Sequence, residues 1–168
     1  MSAYYYLISS LPPLKPDGKA PMDYATFLQE CASAVSESTY RDLEALTVRS
    51  DKGPLVKEWA SFYRALQDEL THQRRLRMGI HSEAPADRDP QATSLATAAL
   101  AAKDPLEAEQ LLLRAQMEHL DSLTSMHYFD DYSLFGYALK LQLLQRQSRF
   151  DKDEGRQEFR SLFQTIQQ

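Results

Sequence analysis

Four histidines are the side chains of this sequence best suited to bind a metal ion or to act as a general base. No two of them stand four residues apart, the spacing that places two imidazoles on one face of a helix. His119 and His127 are eight residues apart, close to two helical turns, but His127 lies beyond the expected end of its helix. We therefore expect His119 to be a partly buried structural side chain. The four residues are His72, His81, His119 and His127.

Asp121, Asp130 and Asp131 could form a carboxylate pair or a cation site, but helix capping is the simpler explanation of the last two. The sequence contains no glycine-rich phosphate loop and no GxSxG nucleophile motif, and its one cysteine excludes a paired-cysteine zinc site. We predict no catalytic residue, no cofactor-binding residue and no metal ligand, and expect that the protein is not an enzyme. An enzyme built on His119 or His127 with a nearby aspartate is the least favoured alternative.

Two stretches have residue types that could bind a protein partner. Arg74, Arg75 and Arg77 form a basic cluster in the last turns of a helix, where cations also interact favourably with the helix dipole. If exposed, they would dock an acidic partner. The three consecutive tyrosines 4–6 cannot all face one core, and tyrosine is enriched at interfaces. We predict partner-binding residues at Arg74, Arg75, Arg77, Tyr4 and Tyr5.

The composition is typical of a globular protein, with 43% hydrophobic and 26% charged residues. A length of 168 residues suits one domain. The formal charge of −5 disfavours binding to nucleic acid or anionic lipid. Residues 1–8 lack the basic region of a signal peptide, and no window approaches the roughly 20 apolar residues that span a bilayer. We therefore expect a cytoplasmic protein without direct membrane insertion.

Apolar residues recur at helical spacing along most of the chain, which predicts an all-α bundle of about six to seven helices. Cys31 falls on one of these apolar stripes and is expected in the core. One long central helix is expected to run to Met78, with Gly79 as its left-handed cap. Residues 4–14 are expected to form an extended or short helical segment. Helix starts are predicted at Asp23, Ser38, Pro54, Asp89–Pro90 and Asp104–Pro105.

The C-terminal part of the sequence predicts two further helices. Asp130 or Asp131 should cap a helix from Tyr132 to about Phe150 that is apolar nearly all round, as is usual for a central helix. A capping-box pattern over 151–154 predicts a last helix. We predict a single domain over 1–168, with two helical halves, 1–79 and 89–168, joined by loop 80–88. The last helix would bury Phe159, Leu162, Phe163 and Ile166.

Three stretches of the second half form a pattern over residues 104–150: Asp104-Pro105-Leu106-Glu107-Ala108-Glu109, His127-Tyr128-Phe129-Asp130, and Tyr137-Ala138-Leu139-Lys140-Leu141-Gln142-Leu143-Leu144. This pattern resembles the helical repeat of the C-type (or d-type) stalk family of V-type ATP synthases. The opening Tyr4-Tyr5-Tyr6-Leu7-Ile8-Ser9-Ser10-Leu11-Pro12 more closely resembles a short bacterial family whose genes accompany those of the V-type ATPase. The C-type stalk family repeats its helical unit three times, and 168 residues are enough for about half of that.

The resemblance implies a non-catalytic accessory or central-stalk subunit of a V-type ATPase/ATP synthase, which couples or docks rotor components through protein contacts. Its partners would be stalk or rotor subunits, with no cofactor and no nucleic acid. It would be cytoplasmic and held peripheral to the inner membrane through the complex. The alternative is a stand-alone helical adaptor or regulator, for which the alanine-rich stretch 92–102 and the basic cluster would be docking faces.

Overall fold

The computed structural model describes residues 3–148, and within this range the chain forms seven α-helices and no strand. The predicted all-α bundle is confirmed, and the N-terminal tyrosines lie on a short helix. The predicted last helix lies outside the described residues. The helices are α1 (Ala3–Ser10), α2 (Tyr24–Ala32), α3 (Glu37–Ala45), α4 (Val56–Arg77), α5 (Pro90–Leu100), α6 (Pro105–Thr124) and α7 (Asp131–Ser148).

Capping side chains explain where α2, α5 and α6 begin. Asp23 accepts a hydrogen bond from Thr26 N, and Asp89 accepts one from Gln91 N ahead of Pro90. At α6, Asp104 accepts from Glu107 N at 2.8 Å. The Glu107 carboxylate in turn accepts from Lys103 N at 2.7 Å, one residue earlier than in a standard capping box. These three predicted helix starts are confirmed.

Two predicted helix starts are wrong. Ser36, and not Ser38, caps α3, because Ser36 has extended backbone angles and its hydroxyl accepts from Thr39 N. The long helix α4 begins at Val56 instead of Pro54, because Leu55 adopts a left-handed conformation with φ 64°. This conformation costs a non-glycine residue about 1–2 kcal/mol. Complete burial of the Leu55 side chain offsets that cost.

A single hydrophobic core cluster contains side chains from all seven helices. Trp59 of α4 lies at its centre, fully buried, and its indole Nε1 donates to Val48 O at 2.9 Å. Cys31 is also fully buried, as predicted, and burial raises the pKa of its thiol to about 12. At the other end of α4, Gly79 has φ 72° and forms the predicted left-handed cap.

Gly136 lies where α6 and α7 approach each other closely. A Cβ placed on Gly136 would lie 2.6 Å from Thr124 Cγ2, well inside van der Waals contact. Thr124 has little freedom to move away, because it is β-branched and its hydroxyl donates to Leu120 O at 3.0 Å. The absence of a side chain at Gly136 therefore sets the distance between these two helices.

We predict that Gly136→Ala destabilises the fold by about 1–2 kcal/mol, because overpacking outweighs the better helix propensity of alanine. The measurement is urea unfolding followed by circular dichroism. Thr124→Ser removes the obstructing methyl group and keeps the hydroxyl, so the double variant should regain the lost stability. A single variant as stable as the parent protein would contradict the close approach.

Candidate protein-docking surfaces

Exposed aromatic side chains from two distant parts of the sequence meet at one place on the surface. The ring of Tyr5 on α1 lies 4.8 Å from the ring of Phe129 in the loop between α6 and α7, measured between centroids. Tyr6 packs edge-on against Tyr5 at 5.5 Å. We call Tyr5, Tyr6, Tyr128 and Phe129 the aromatic surface; their exposed fractions are 51%, 76%, 70% and 41%. Clustered exposed apolar side chains often mark a protein interaction site.

Polar contacts in the α6–α7 loop hold Tyr128 and Phe129 in position. His127 N donates to Thr124 O at 2.9 Å, and His127 Nδ1 lies 2.5 Å from an Asp130 carboxylate oxygen. The His127 ring also stacks on Tyr132, with centroids 4.3 Å apart. Asp130 accepts from Ser133 N at 3.0 Å and so caps the start of α7.

Asp130 is the residue on which the geometry of this loop converges. Partial burial opposes its ionisation, but hydrogen bonds from Ser133 and His127 outweigh that effect and hold the pKa of Asp130 below its ordinary value. The carboxylate is therefore a stable acceptor that joins the loop to the first turn of α7. The hydrogen-bond partner of His127 is thus Asp130 of the same loop, and His119 takes no part in this contact.

The predicted partner-binding tyrosines have different environments. Tyr5 belongs to the aromatic surface, whereas Tyr4 is half-buried and packs against the core. Burial raises the pKa of the Tyr4 hydroxyl, and the neighbouring Asp131 carboxylate adds to the increase. Tyr4 thus anchors α1 to the bundle and leaves Tyr5 and Tyr6 facing outward.

The predicted basic residues lie on the last turn of α4. Arg74, Arg75 and Arg77 are all exposed, and within residues 3–148 none of them forms a salt bridge. The Arg77 guanidinium donates to Leu100 O at the end of α5, so it also helps to join two helices. Arg74 and Arg75 are the members of this cluster best placed to meet a partner.

One wide concavity of the described residues was not predicted from the sequence. It is a groove of about 1300 Å³ between α4, the segment 82–89 and the C-terminal turns of α6. The sequence predicted only a surface loop over 80–88, and no local pattern indicated that the loop folds back along α4. We call this concavity the α4 groove; its lining includes Glu58, Phe62, Asp68, His72, Glu83, Asp87 and His119.

An ion pair between a buried carboxylate and a partly exposed guanidinium holds the wall of the α4 groove. Glu69 on α4 is only 1% exposed, and its two carboxylate oxygens accept from Arg88 Nε at 2.6 Å and from Arg88 Nη2 at 3.0 Å. These hydrogen bonds hold the pKa of Glu69 at about 2, against the opposing effect of burial. The segment 82–89 is thereby fixed against the helix.

The two groove histidines make contacts typical of structural side chains. His119 stacks on Phe62 with ring centroids 3.9 Å apart, and burial lowers its pKa while Asp89 acts in the opposite direction. His72 Nδ1 lies 3.0 Å from the Ser82 hydroxyl. No group of three metal-ligating side chains occurs within residues 3–148. The expectation of a partly buried His119 is confirmed.

The seven helices and their surfaces define a helical bundle with two candidate docking sites, the aromatic surface and the α4 groove. None of the described helices is long and apolar enough to cross a membrane. No protein-family model, curated protein or solved structure matches the chain.

We predict that Glu69 makes stability depend on pH in the acid range. Its pKa of about 2 in the folded protein lies below its ordinary 4.5, so the ion pair stabilises the fold above about pH 4.5 and loses this effect as the pH falls towards 2. Glu69→Gln should be about 1–3 kcal/mol less stable at neutral pH. Chemical unfolding at several pH values in the acid range measures the free energy of unfolding of the parent protein and of the variant. A stability difference that does not shrink below about pH 4.5 would contradict this role.

Proposed function

We propose that the protein is a non-catalytic accessory or central-stalk subunit of a V-type ATPase/ATP synthase, which docks stalk or rotor components through protein contacts. The observation that carries the proposal is the contact between Tyr5 and Phe129. These residues belong to two of the stretches on which the family resemblance rests, 4–12 and 127–130, which are more than a hundred residues apart in the sequence.

The aromatic surface has properties that suit an interface between subunits. Tyrosine and phenylalanine bury a large apolar area for the loss of few rotatable bonds, and tyrosine keeps a hydroxyl for specific hydrogen bonds. Tyr4, Asp130 and the His127–Tyr132 stack hold the surface in one arrangement. A preorganised surface loses less conformational entropy on binding.

A rotor-coupling subunit must transmit force without deforming, so it needs stiff elements more than a reactive group. The 22-residue helix α4 spans about 33 Å at 1.5 Å per residue and runs through the shared core. The same features would serve a stand-alone helical adaptor, for which the exposed Arg74 and Arg75 would be the docking residues. The identity of the bound proteins distinguishes the two proposals.

We predict that affinity purification of the tagged protein from its native cells, under mild detergent, recovers V-type ATPase head and rotor subunits, identified by mass spectrometry. The double variant Tyr5→Ser with Phe129→Ser should recover much less of the ATPase subunits, because it removes the aromatic rings that would contact them. Met78→Ser with Ile80→Ser is the matched control, since these side chains are 67% and 45% exposed just after α4 and belong to neither the aromatic surface nor the basic cluster. Recovery without any ATPase subunit would overturn the stalk proposal.

A second prediction concerns the basic cluster. Charge reversal by Arg74→Glu, Arg75→Glu and Arg77→Glu should weaken binding to an acidic partner by roughly tenfold, about 1.4 kcal/mol, while the fold survives. Arg49→Glu, Lys52→Glu and Lys57→Glu provide a control with the same change in net charge at other surface positions. Titration of the purified partner into each variant measures the binding affinity, and circular dichroism checks that each variant is folded. Equal affinities for both triple variants would rule out a specific role for the cluster.

A further inference from the structure

The α4 groove is larger than most small-molecule sites. Its volume of about 1300 Å³ exceeds the roughly 300–1,000 Å³ of typical ligand pockets. The wall formed by α4 runs from Glu58 to His72, which is about 21 Å, or four helical turns. An elongated open groove of this length fits a peptide or a helix better than a compact metabolite.

The charges of the α4 groove are strongly unbalanced. Five carboxylates line it, and among residues 3–148 none of them forms a salt bridge. The two lining guanidinium groups do not neutralise them, because Arg88 is paired with Glu69 and only Arg64 remains. A concave surface lined by one sign of charge concentrates the electrostatic field and attracts the opposite charge. The five carboxylates are Glu58, Asp68, Glu83, Asp87 and Asp89.

The floor of the α4 groove differs from its rim. Phe62, Ala65 and Leu123 contribute apolar surface, and the stacked His119 ring extends it. His72 lines the same groove with 8% of its surface exposed. Its Nδ1 contacts Ser82, whereas its Nε2 has no hydrogen-bond partner among the described residues. An occupant would therefore meet apolar side chains, an imidazole nitrogen and several carboxylates.

We propose that the α4 groove binds a basic amphipathic helix of a partner protein, with the apolar face of that helix on Ala65 and Leu123 and its lysines or arginines on the surrounding carboxylates. Charge complementarity selects this occupant, because the rim carries five carboxylates against the single free charge of Arg64. The site is separate from the aromatic surface and does not depend on the stalk proposal.

The chain's own C-terminal segment fits the α4 groove less well. Residues 149–168 contain four basic and four acidic side chains, so they offer no net positive charge. The last described helix, α7, ends beside Arg146 and Gln147, which line a different concavity on the face of α4 that carries Gln67, Leu70 and Arg74. Charge therefore favours an external partner over this segment.

The test uses the full chain and a fluorescein-labelled synthetic peptide of about 14 residues, which spans about 21 Å as a helix. Its leucines lie on one helical face and its lysines on the other. Fluorescence anisotropy should give saturable binding that weakens with added salt. The same peptide with glutamate in place of every lysine should not bind.

Charge reversal at Asp68→Lys, Glu83→Lys and Asp87→Lys should weaken peptide binding by about tenfold or more. The matched control is Glu30→Lys, Asp42→Lys and Glu44→Lys on α2 and α3, which makes the same change in net charge at exposed positions and should leave the affinity within about twofold. If the reversed variant does not fold, Asp68→Asn, Glu83→Gln and Asp87→Asn should give the same direction of change with less disturbance.

Three outcomes would overturn the proposal. One is failure of the basic peptide to bind, as expected if another part of the chain fills the groove. Another is an equal loss of affinity in the two charge-reversed variants, which would show that only net charge matters. The last is complete displacement of the peptide by spermine at matched charge, which would identify the groove as a site for small cations. The affinity purification that tests the aromatic surface is a separate experiment, and its result does not depend on any of these three outcomes.

Discussion

The buried carboxylate of Glu69 is the interaction on which much of this bundle depends. Arg88 donates to both of its oxygens, and Gln73, one turn further along α4, donates to one of them at 3.1 Å. Gln73 also contacts Thr93 O and accepts from the Thr97 hydroxyl on α5. One polar network therefore joins α4, the segment 82–89 and α5. An ionised carboxylate this deeply buried requires such partners.

The network matters because the apolar contacts between α4 and α5 are weakly specific. The buried side chains of α5 are alanines 92, 96 and 99, whose small size lets the helices approach closely, while Leu95 and Leu100 pack against the core from partly buried positions. Sliding α5 along α4 would break the hydrogen bonds that Gln73 makes to Thr93 and Thr97. The polar contacts thus specify the alignment that the alanines permit.

Local features of the sequence were sufficient to predict most of the fold, because capping chemistry and helical spacing act within a few residues. Asp104 and Gly79 illustrate this, since each acts on its own helix end. The left-handed Leu55 could not be predicted, because burial against distant parts of the chain stabilises a locally unfavourable conformation. The same holds for the α4 groove and for the contact of Tyr5 with Phe129, which depend on tertiary packing and not on neighbouring residues.

The two candidate docking sites rest on different elements of one core. The aromatic surface is formed by α1 and the α6–α7 loop, and the α4 groove by α4, the segment 82–89 and α6. The core cluster includes side chains from all seven helices of the described residues, so one packed core supports both sites. If partners occupy both sites, the bundle would hold them at a fixed separation. A rigid spacer of this kind is what the proposed coupling of rotor components would require.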